Sequence, residues 1–203
     1  MNLKRKYSDN QCRFFMLQTV KEDIFRNVGN SCTSLRFRIK HALVPGNRTL
    51  WLIRHYQAAS CGLTKGIWSA LCYFDKYSSG MQIPPQTKIG RGCRILHFGN
   101  IVVNPNATIG DNFNIAQGCL IGNSFSKSGN GVPVIGNNCC MFANSMVVGG
   151  VKIGNNVLIA PGAFVNFDVP DNSIVIGNPG KIIPRDSSPT AKYIVYPVEN
   201  MRS

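Results

Sequence analysis

The chain has 203 residues, of which 44% are hydrophobic, and it carries a formal net charge of +13. This length and apolar content permit one domain, or a domain with a smaller module, and exclude a chain too polar to form a core. The charge favours anionic partners, but no RNA- or DNA-binding motif accompanies it, so we do not expect nucleic acid as a partner. The polar sequence after Met1 is unlike a secretory leader, and no apolar run approaches the roughly 18 residues that span a bilayer.

Residues 1–82 are predicted to form a basic α-helical segment. They contain 13 Lys and Arg and 4 Asp and Glu (13 − 4 = +9), whereas residues 83–203 contain 9 and 5 (9 − 5 = +4). Helical spacing predicts a first helix that ends near Val28, a second over Arg48–Ala59, and a third with an apolar face. A strand or a further helix would fit Leu35–Lys40, and the helical flanks favour the helix. The third helix face contains Leu63, Ile67, Leu71 and Phe74. Such a segment can cap a repeat array, and its basic face either stays solvated, guides an anionic acceptor or rests on a membrane surface.

Over residues 83–170 the chain repeats with a period of six residues. No helix and no single strand has this period, whereas a β-solenoid with three short strands per coil does. The apolar position of the repeat is occupied by Ile83, Ile89, Ile95, Val103, Ile109, Ile115, Ile121, Ile135, Met141, Val147, Ile153, Ile159 and Val165. A small or compact residue follows most of them after four positions, and three cysteines (Cys93, Cys119 and Cys139) occupy that position. We therefore expect buried, reduced thiols and a cytoplasmic compartment.

Glycines at successive corners set the length of each coil. Gly90, Gly110, Gly136 and Gly154 are 20, 26 and 18 residues apart, and three hexads account for 18 of each interval. Corners of this kind often need a positive φ, which Gly and Asn tolerate. The first interval exceeds three hexads by two residues and the second by eight. These extra residues form a two-residue insertion at Leu96–Asn100 and an eight-residue insertion within Gly122–Val134. Insertions in repeat arrays tend to form loops on a functional face.

The hexad resembles the left-handed β-helix of hexapeptide-repeat acyltransferases, and Ile83–Gly90, Leu96–Asn112 and Val169–Lys181 are similar to the serine acetyltransferase branch. The resemblance implies a mainly β fold: a left-handed parallel β-helix over residues 83–183, after the helical segment 1–82. Residues 184–203 are rich in Pro and Ser and largely aperiodic, and we expect them to form a C-terminal tail that docks on a neighbouring subunit. It also implies acetyl transfer from acetyl-CoA to a hydroxyl, in a homotrimer with sites between subunits.

The same resemblance assigns roles to individual residues. His97 matches the catalytic histidine, and an imidazole can act as a general base at cellular pH. Asn100 and Gln117 are expected to contact substrate or to orient His97. The implied coenzyme A contacts, none of which requires a metal ion, are Gly122, Asn123, Ala143, Asn144, Ala160, Pro161 and Lys181.

Three positions depart from the serine acetyltransferase pattern, and they decide the expected acceptor. Val132 replaces a histidine, while Leu96 and Gln82 replace aspartates that hold the serine amine and carboxylate or orient the histidine. The sequence that begins at His97 is closest to polysaccharide O-acetyltransferases. We therefore expect the acceptor to be a sugar hydroxyl of a bacterial capsular or exopolysaccharide, reached in the cytoplasm or at the inner face of the membrane. An acidic glycan would also fit the net charge of +13.

Two alternatives stay open. One is a small-molecule or amino-acid (serine-like) O-acetyltransferase, and the other is a catalytically inactive β-solenoid scaffold. A γ-class carbonic anhydrase is excluded, because its zinc site takes three histidines and His97 is the only histidine after residue 82.

Overall fold

A computed structural model of the chain describes residues 9–29, 43–124 and 131–202. The helices in these ranges are α1 (Asp9–Val28), α2 (Pro45–Ala58) and α3 (Gly62–Ser79). Helix α2 starts at Pro45, because proline fits the first helical position, where its missing N–H is not needed. The helix expected at Leu35–Lys40 lies outside the described residues. Within the described ranges, no helix combines the length and apolar content that crossing a bilayer requires.

Short strands follow the helices and stack into three sheets. Sheet I has the order β1-β4-β7-β10, sheet II the order β14-β13-β11-β8-β5-β2, and sheet III the order β12-β9-β6-β3. Neighbouring strands are parallel, except that β14 runs antiparallel to β13. The strands are β1 (Lys88–Ile89), β2 (Arg94–Ile95), β3 (Val102–Val103), β4 (Thr108–Ile109), β5 (Asn114–Ile115), β6 (Leu120–Gly122), β7 (Val134–Ile135), β8 (Cys140–Met141), β9 (Met146–Val148), β10 (Lys152–Ile153), β11 (Leu158–Ile159), β12 (Phe164–Val165), β13 (Ser173–Ile176) and β14 (Lys181–Pro184).

The apolar position of the hexad stacks on itself from coil to coil. In sheet I, Ile109 pairs with Ile89 on one side and with Ile135 on the other. In sheet III, Ile121 pairs with Val103 and with Val147. Apart from Ile89, which is partly buried and packs against the others, these side chains are buried and form a continuous core inside the triangular coils. The predicted parallel β-helix is confirmed, because a side chain every six residues can face this interior only if three strands make one coil.

Asparagine and glycine have different roles at the corner between sheets I and II. Asn112, Asn138, Asn156 and Asn172 adopt positive φ angles of 54°, 55°, 57° and 53°. Each amide in this column donates to the amide oxygen of the next coil, at 3.0, 3.2 and 2.8 Å. The corner glycines are needed for a different reason, since the next coil passes directly over them. A Cβ on Gly136 would lie 2.7 Å from the carbonyl oxygen of Gly154.

A Gly110→Ala substitution should therefore destabilise the β-helix. Its Cβ would lie 2.6 Å from the Gly136 carbonyl oxygen, and backbone of a neighbouring coil cannot move away without disturbing the coils on either side. We expect a loss of about 1–3 kcal/mol in the free energy of unfolding, measured by denaturant titration at fixed protein concentration. Gly66→Ala is the matched control: nothing lies within 4 Å of its Cβ, so the same change in an exposed helix should stabilise by about 0.5–1 kcal/mol. Equal effects of the two substitutions would contradict this explanation.

The C-terminal tail packs on its own chain, whereas we expected it to dock on a neighbouring subunit. Its 3₁₀ turns, Ala191–Tyr193 and Val198–Arg202, lie against the first coils and α1. The Asn114 side-chain amide donates to the Tyr193 carbonyl oxygen at 3.0 Å, and the Val198 N–H donates to the Asn112 side-chain oxygen at 2.9 Å. The tail therefore covers the corner between sheets I and II. The domain limits at residues 82 and 183 stay predictions.

The repeat cysteines lie in the core. Cys93, Cys119, Cys139 and Cys140 are buried free thiols, whereas Cys61 is exposed. Burial raises the pKa of Cys93, Cys139 and Cys140 to about 12. These three thiols consequently stay protonated and act as small apolar residues.

Candidate functional site

The two-residue insertion forms the corner between β2 and β3 and presents His97 to solvent. The corner turns sharply, with φ angles of 105° at Gly99 and 53° at Asn100. It is held on both sides: the Asn100 N–H donates to the Gly80 carbonyl oxygen at 2.8 Å, just beyond α3, and the Gly99 carbonyl oxygen accepts from the Gly118 N–H of the next coil at 3.0 Å. A fixed backbone thus carries an accessible imidazole, as a general base requires.

The corners above His97 form a column, which we call the His97 edge. Gln117 lies one coil up, and its carbonyl oxygen accepts from the Asn144 N–H at 3.0 Å. The Ala143 carbonyl oxygen in turn accepts from the Gly162 N–H at 2.9 Å. Seven residues proposed from the sequence therefore share this edge: His97, Asn100, Gln117, Ala143, Asn144, Ala160 and Pro161.

Lys181 lies at the far end of the His97 edge. It begins β14 and pairs with Ile176 of β13, beyond the last coil. Gly177, the residue after β13, accepts a hydrogen bond from the Phe164 N–H at 3.0 Å through its carbonyl oxygen. This bond places the turn between β13 and β14 above sheet III. The Lys181 side chain is exposed there. The edge thus runs from an imidazole at one end to an ammonium group at the other.

Gly122 and Asn123 lie on a different corner, between sheets III and I, which we call the loop edge. The eight-residue insertion starts here, and Ser124 pairs with Gly131 at its base. Val132 is half-buried where the loop returns to the coils. Sheet III separates the loop edge from the His97 edge. One subunit therefore does not bring Gly122 and Asn123 to His97, and a site that uses both edges needs two subunits.

No described carboxylate lies on the His97 edge. Asp186 lies at a different corner, because the N–H of the preceding residue, Arg185, donates to the Asn172 carbonyl oxygen there. The other acids with described side chains contact groups elsewhere: Glu22 and Asp111 contact Arg91, Asp23 contacts Arg54, Asp75 contacts Arg48, Asp168 contacts the Lys152 N–H, Asp171 contacts the Asn155 N–H and Glu199 contacts Asn112. Among the described side chains of one subunit, then, no carboxylate orients His97.

The three positions that depart from the serine acetyltransferase pattern, Leu96, Gln82 and Val132, all carry uncharged side chains. Leu96 is half-buried beside His97, and its N–H donates to the Ile115 carbonyl oxygen at 2.8 Å. Gln82 is exposed and pairs with Val102 at the open end of sheet III. Val132 lies on the loop edge. The side chains at these positions cannot hold an ammonium or a carboxylate group by charge.

Phe98 is a residue that the sequence reasoning did not assign to the site. Its side chain is 52% exposed beside His97. The sequence contained a signal for Phe98: it is an aromatic residue inside a short insertion, and a corner with a purely structural role does not require an exposed aromatic ring. The ring gives the His97 corner an apolar wall that could pack against a bound acyl chain or acceptor.

Residues 133–166 match the family model for bacterial transferase hexapeptide repeats. Over 117 residues the chain is 36% identical to a serine acetyltransferase of Staphylococcus aureus strain Mu50, a match that covers 58% of this chain and 55% of that protein. It is 35% identical over 115 residues to a serine acetyltransferase of Synechococcus elongatus, covering 57% of this chain and 47% of that one. The chain thus spans about half the length of these curated relatives.

Solved structures of serine acetyltransferases have a similar fold. The enzyme from Vibrio cholerae aligns with a TM-score of 0.71 at 22% identity, over 91% of this chain and 72% of that one. The enzyme from Brucella abortus in complex with coenzyme A aligns with a TM-score of 0.66 at 20% identity, over 86% and 68%. This likeness shows the predicted fold, a left-handed parallel β-helix preceded by helices.

These comparisons overturn the predicted polysaccharide acceptor. The relatives and structures described above are serine acetyltransferases, and none is a capsular or exopolysaccharide enzyme. The inference failed because the loss of charged side chains removes one way to hold an amino acid without creating a way to hold a sugar. Backbone groups or a second subunit can also bind an ammonium group. Part of the chain thus matches the hexapeptide-repeat model, and over a little more than half of its length the chain is similar to serine acetyltransferases.

Proposed function

We propose that the protein is an acetyl-CoA-dependent O-acetyltransferase whose acceptor is the hydroxyl of serine or of a closely related small molecule. The observation that carries this proposal is the exposed His97 on the sharply turned, doubly held corner of a β-helix homologous to serine acetyltransferases. The alternative of an inactive scaffold gives no reason for an imidazole and an aromatic ring at this corner.

The proposed reaction uses His97 as general base. Its neutral imidazole takes the proton of the acceptor hydroxyl while the hydroxyl oxygen attacks the thioester carbonyl carbon. A tetrahedral oxyanion forms, the bond from carbon to sulfur breaks, and the imidazolium returns the proton to the departing coenzyme A thiolate. The acetyl ester of the acceptor and free coenzyme A are the products. Holding both reactants at one corner supplies the proximity that the reaction needs.

The His97 edge is suited to bind coenzyme A along its length. Ala143 and Ala160 leave the backbone accessible, so a pantetheine arm can approach closely. Lys181 offers a cation for phosphate at the far end. Gly122 and Asn123 would come from the loop edge of a neighbouring subunit. We therefore propose a multimer, specifically a homotrimer, with its sites between subunits and its acetyl-CoA drawn from the cytoplasm.

An acceptor series tests this function. We expect acetyl-CoA turnover with L-serine, measured as free coenzyme A and as the acetylated product by mass spectrometry. The same series includes 3-hydroxypropionate, which lacks the ammonium group: a kcat/KM within about tenfold of that for serine would show that the site makes little use of this group. A site built to bind that group would discriminate by about 10⁴-fold or more. No transfer to any small hydroxyl acceptor would refute the proposal.

A further inference from the structure

Helix α3 points its polar side inward and its apolar side into solvent. The buried residues of this helix are Asp75 and Ser79. Asp75 accepts hydrogen bonds from Arg48 and Thr49 of α2, and Trp68 packs edge-on against Trp51 of α2 with ring centroids 5.4 Å apart, so α3 is attached to α2 by polar contacts and one aromatic cluster. The large side chains on the opposite side are exposed: Leu63 (77%), Ile67 (54%), Leu71 (43%), Tyr73 (52%), Phe74 (68%) and Tyr77 (68%). We call these six side chains the α3 face.

The surroundings of the α3 face are basic. Lys65 lies 5.3 Å from the ring centroid of Tyr56, and Lys76 lies 3.9 Å from that of Tyr73. Asp75 is the sole acid of this helix, and it is buried in its contacts with α2. The exposed charge of α3 is therefore entirely positive. The sequence of residues 1–82, which includes α3, has a net charge of 13 − 4 = +9.

We propose that the α3 face seats the protein on an anionic lipid surface. An amphipathic helix with Leu, Ile and Phe on one side and lysines beside them is the type of element that lies in the plane of a bilayer interface. Tyr73 and Tyr77 fit the same position, because aromatic rings with a polar tip concentrate at headgroup depth. Their hydroxyls are hydrogen-bonded to each other at 2.9 Å on the exposed side.

Charge complementarity favours a lipid surface over a second copy of this chain. If two α3 faces packed together about a two-fold axis, Lys65 and Lys76 of one subunit would approach the same residues of the other. No exposed acid on α3 is available to pair with them. A membrane with anionic headgroups attracts each of these lysines, and the attraction acts over about 8–10 Å at cellular ionic strength.

Seating α3 on a membrane would also place the His97 corner close to that surface. Helix α3 ends at Ser79, and the carbonyl oxygen of the next residue, Gly80, accepts from the Asn100 N–H three residues after His97. Acceptors that collect at the interface would therefore reach the corner readily. The membrane proposal does not depend on the acetyltransferase proposal, because it rests on α3 alone.

The test is co-sedimentation of the full chain with two kinds of vesicle: phosphatidylcholine alone, and phosphatidylcholine with about one third phosphatidylglycerol. We expect binding to the anionic vesicles and little to the neutral ones. An Ile67→Asp/Phe74→Asp variant should lose this binding. The matched control is Val195→Asp, which changes another exposed apolar side chain (57%) and should bind as the wild type does.

A second variant keeps the test independent of folding. Lys65→Gln/Lys76→Gln leaves the apolar side chains in place and should weaken binding to anionic vesicles by about fivefold for each lysine. Binding that is absent, equal on both vesicles or unchanged in the Ile67→Asp/Phe74→Asp variant overturns the proposal. So does a smaller particle mass for that variant without lipid, measured by light scattering, since the α3 face would then be an interface between copies.

Discussion

Replacing His97 with alanine should lower kcat/KM for acetyl transfer by about 10²–10⁴-fold, because the acceptor hydroxyl would lose its general base. The free energy of unfolding should stay within about 0.5 kcal/mol of the wild-type value, since the imidazole is exposed and the corner is held by backbone hydrogen bonds of Gly99 and Asn100. Initial rates of coenzyme A release with serine as acceptor, combined with denaturant titration, separate the two effects.

The matched control is Lys88→Ala, which removes an exposed basic side chain on sheet I, a sheet that does not border the His97 edge. Its turnover should equal that of the wild type. The proposed mechanism is wrong if His97→Ala retains near wild-type kcat/KM. It is also wrong if Lys88→Ala loses activity to the same extent, because a general loss of charge or stability would then explain both results.

The coils could be predicted from the sequence because their signal is local and periodic. Ile109, Ile121 and Ile135 mark positions whose stacking partners follow from counting hexads, and the register agrees. The insertion that presents His97 was found in the same way, as a break in the count. Periodicity also grouped the apolar residues of α3 on one face. It could not show that this face points to solvent, since spacing defines a face and not its neighbour.

The rest of the structure depends on contacts that leave no periodic signal. Val198 bonds to Asn112, a residue 86 positions earlier, and neither residue type nor spacing predicts this pairing. The acceptor was mistaken for a related reason. Uncharged residues at Leu96, Gln82 and Val132 show which groups the site lacks, whereas the acceptor is defined by groups that the site has, some of them on another subunit.

A buried ion pair joins the helical segment to the first coil. Asp23 of α1 accepts from Arg54 of α2 at 2.9 and 3.3 Å and from the Cys93 N–H at 3.0 Å. Arg54 also donates to the carbonyl oxygens of Ile89 and Gly90, at 2.7 and 2.6 Å. Both charged side chains are almost wholly buried, at 2% and 8% exposed for Arg54 and Asp23. One pair therefore connects α1, α2 and the β-helix.

We expect Arg54→Met to destabilise the protein by about 3–5 kcal/mol, because it leaves the Asp23 carboxylate buried without its cationic partner, with backbone N–H donors such as that of Cys93 in its place. Arg185→Met is the matched control: its side chain is exposed, so the same substitution there should change stability by no more than about 0.5 kcal/mol. Equal losses in the two variants, measured by denaturant titration at one protein concentration, would contradict the proposed role of burial.

The pH dependence and a double variant sharpen the same prediction. Burial raises the pKa of Asp23, and Arg54 opposes that rise. Without Arg54 the folded-state pKa lies further above the unfolded value, so the protonated form favours folding and stability falls as pH increases. The loss of unfolding free energy in Arg54→Met relative to the wild type should accordingly shrink as the pH is lowered toward the pKa of an unfolded aspartate.

Asp23→Leu/Arg54→Met removes the unpaired charge and should be more stable than Arg54→Met at neutral pH. It should stay below the wild type, because the Ile89 and Gly90 carbonyl oxygens still lose their Arg54 donors.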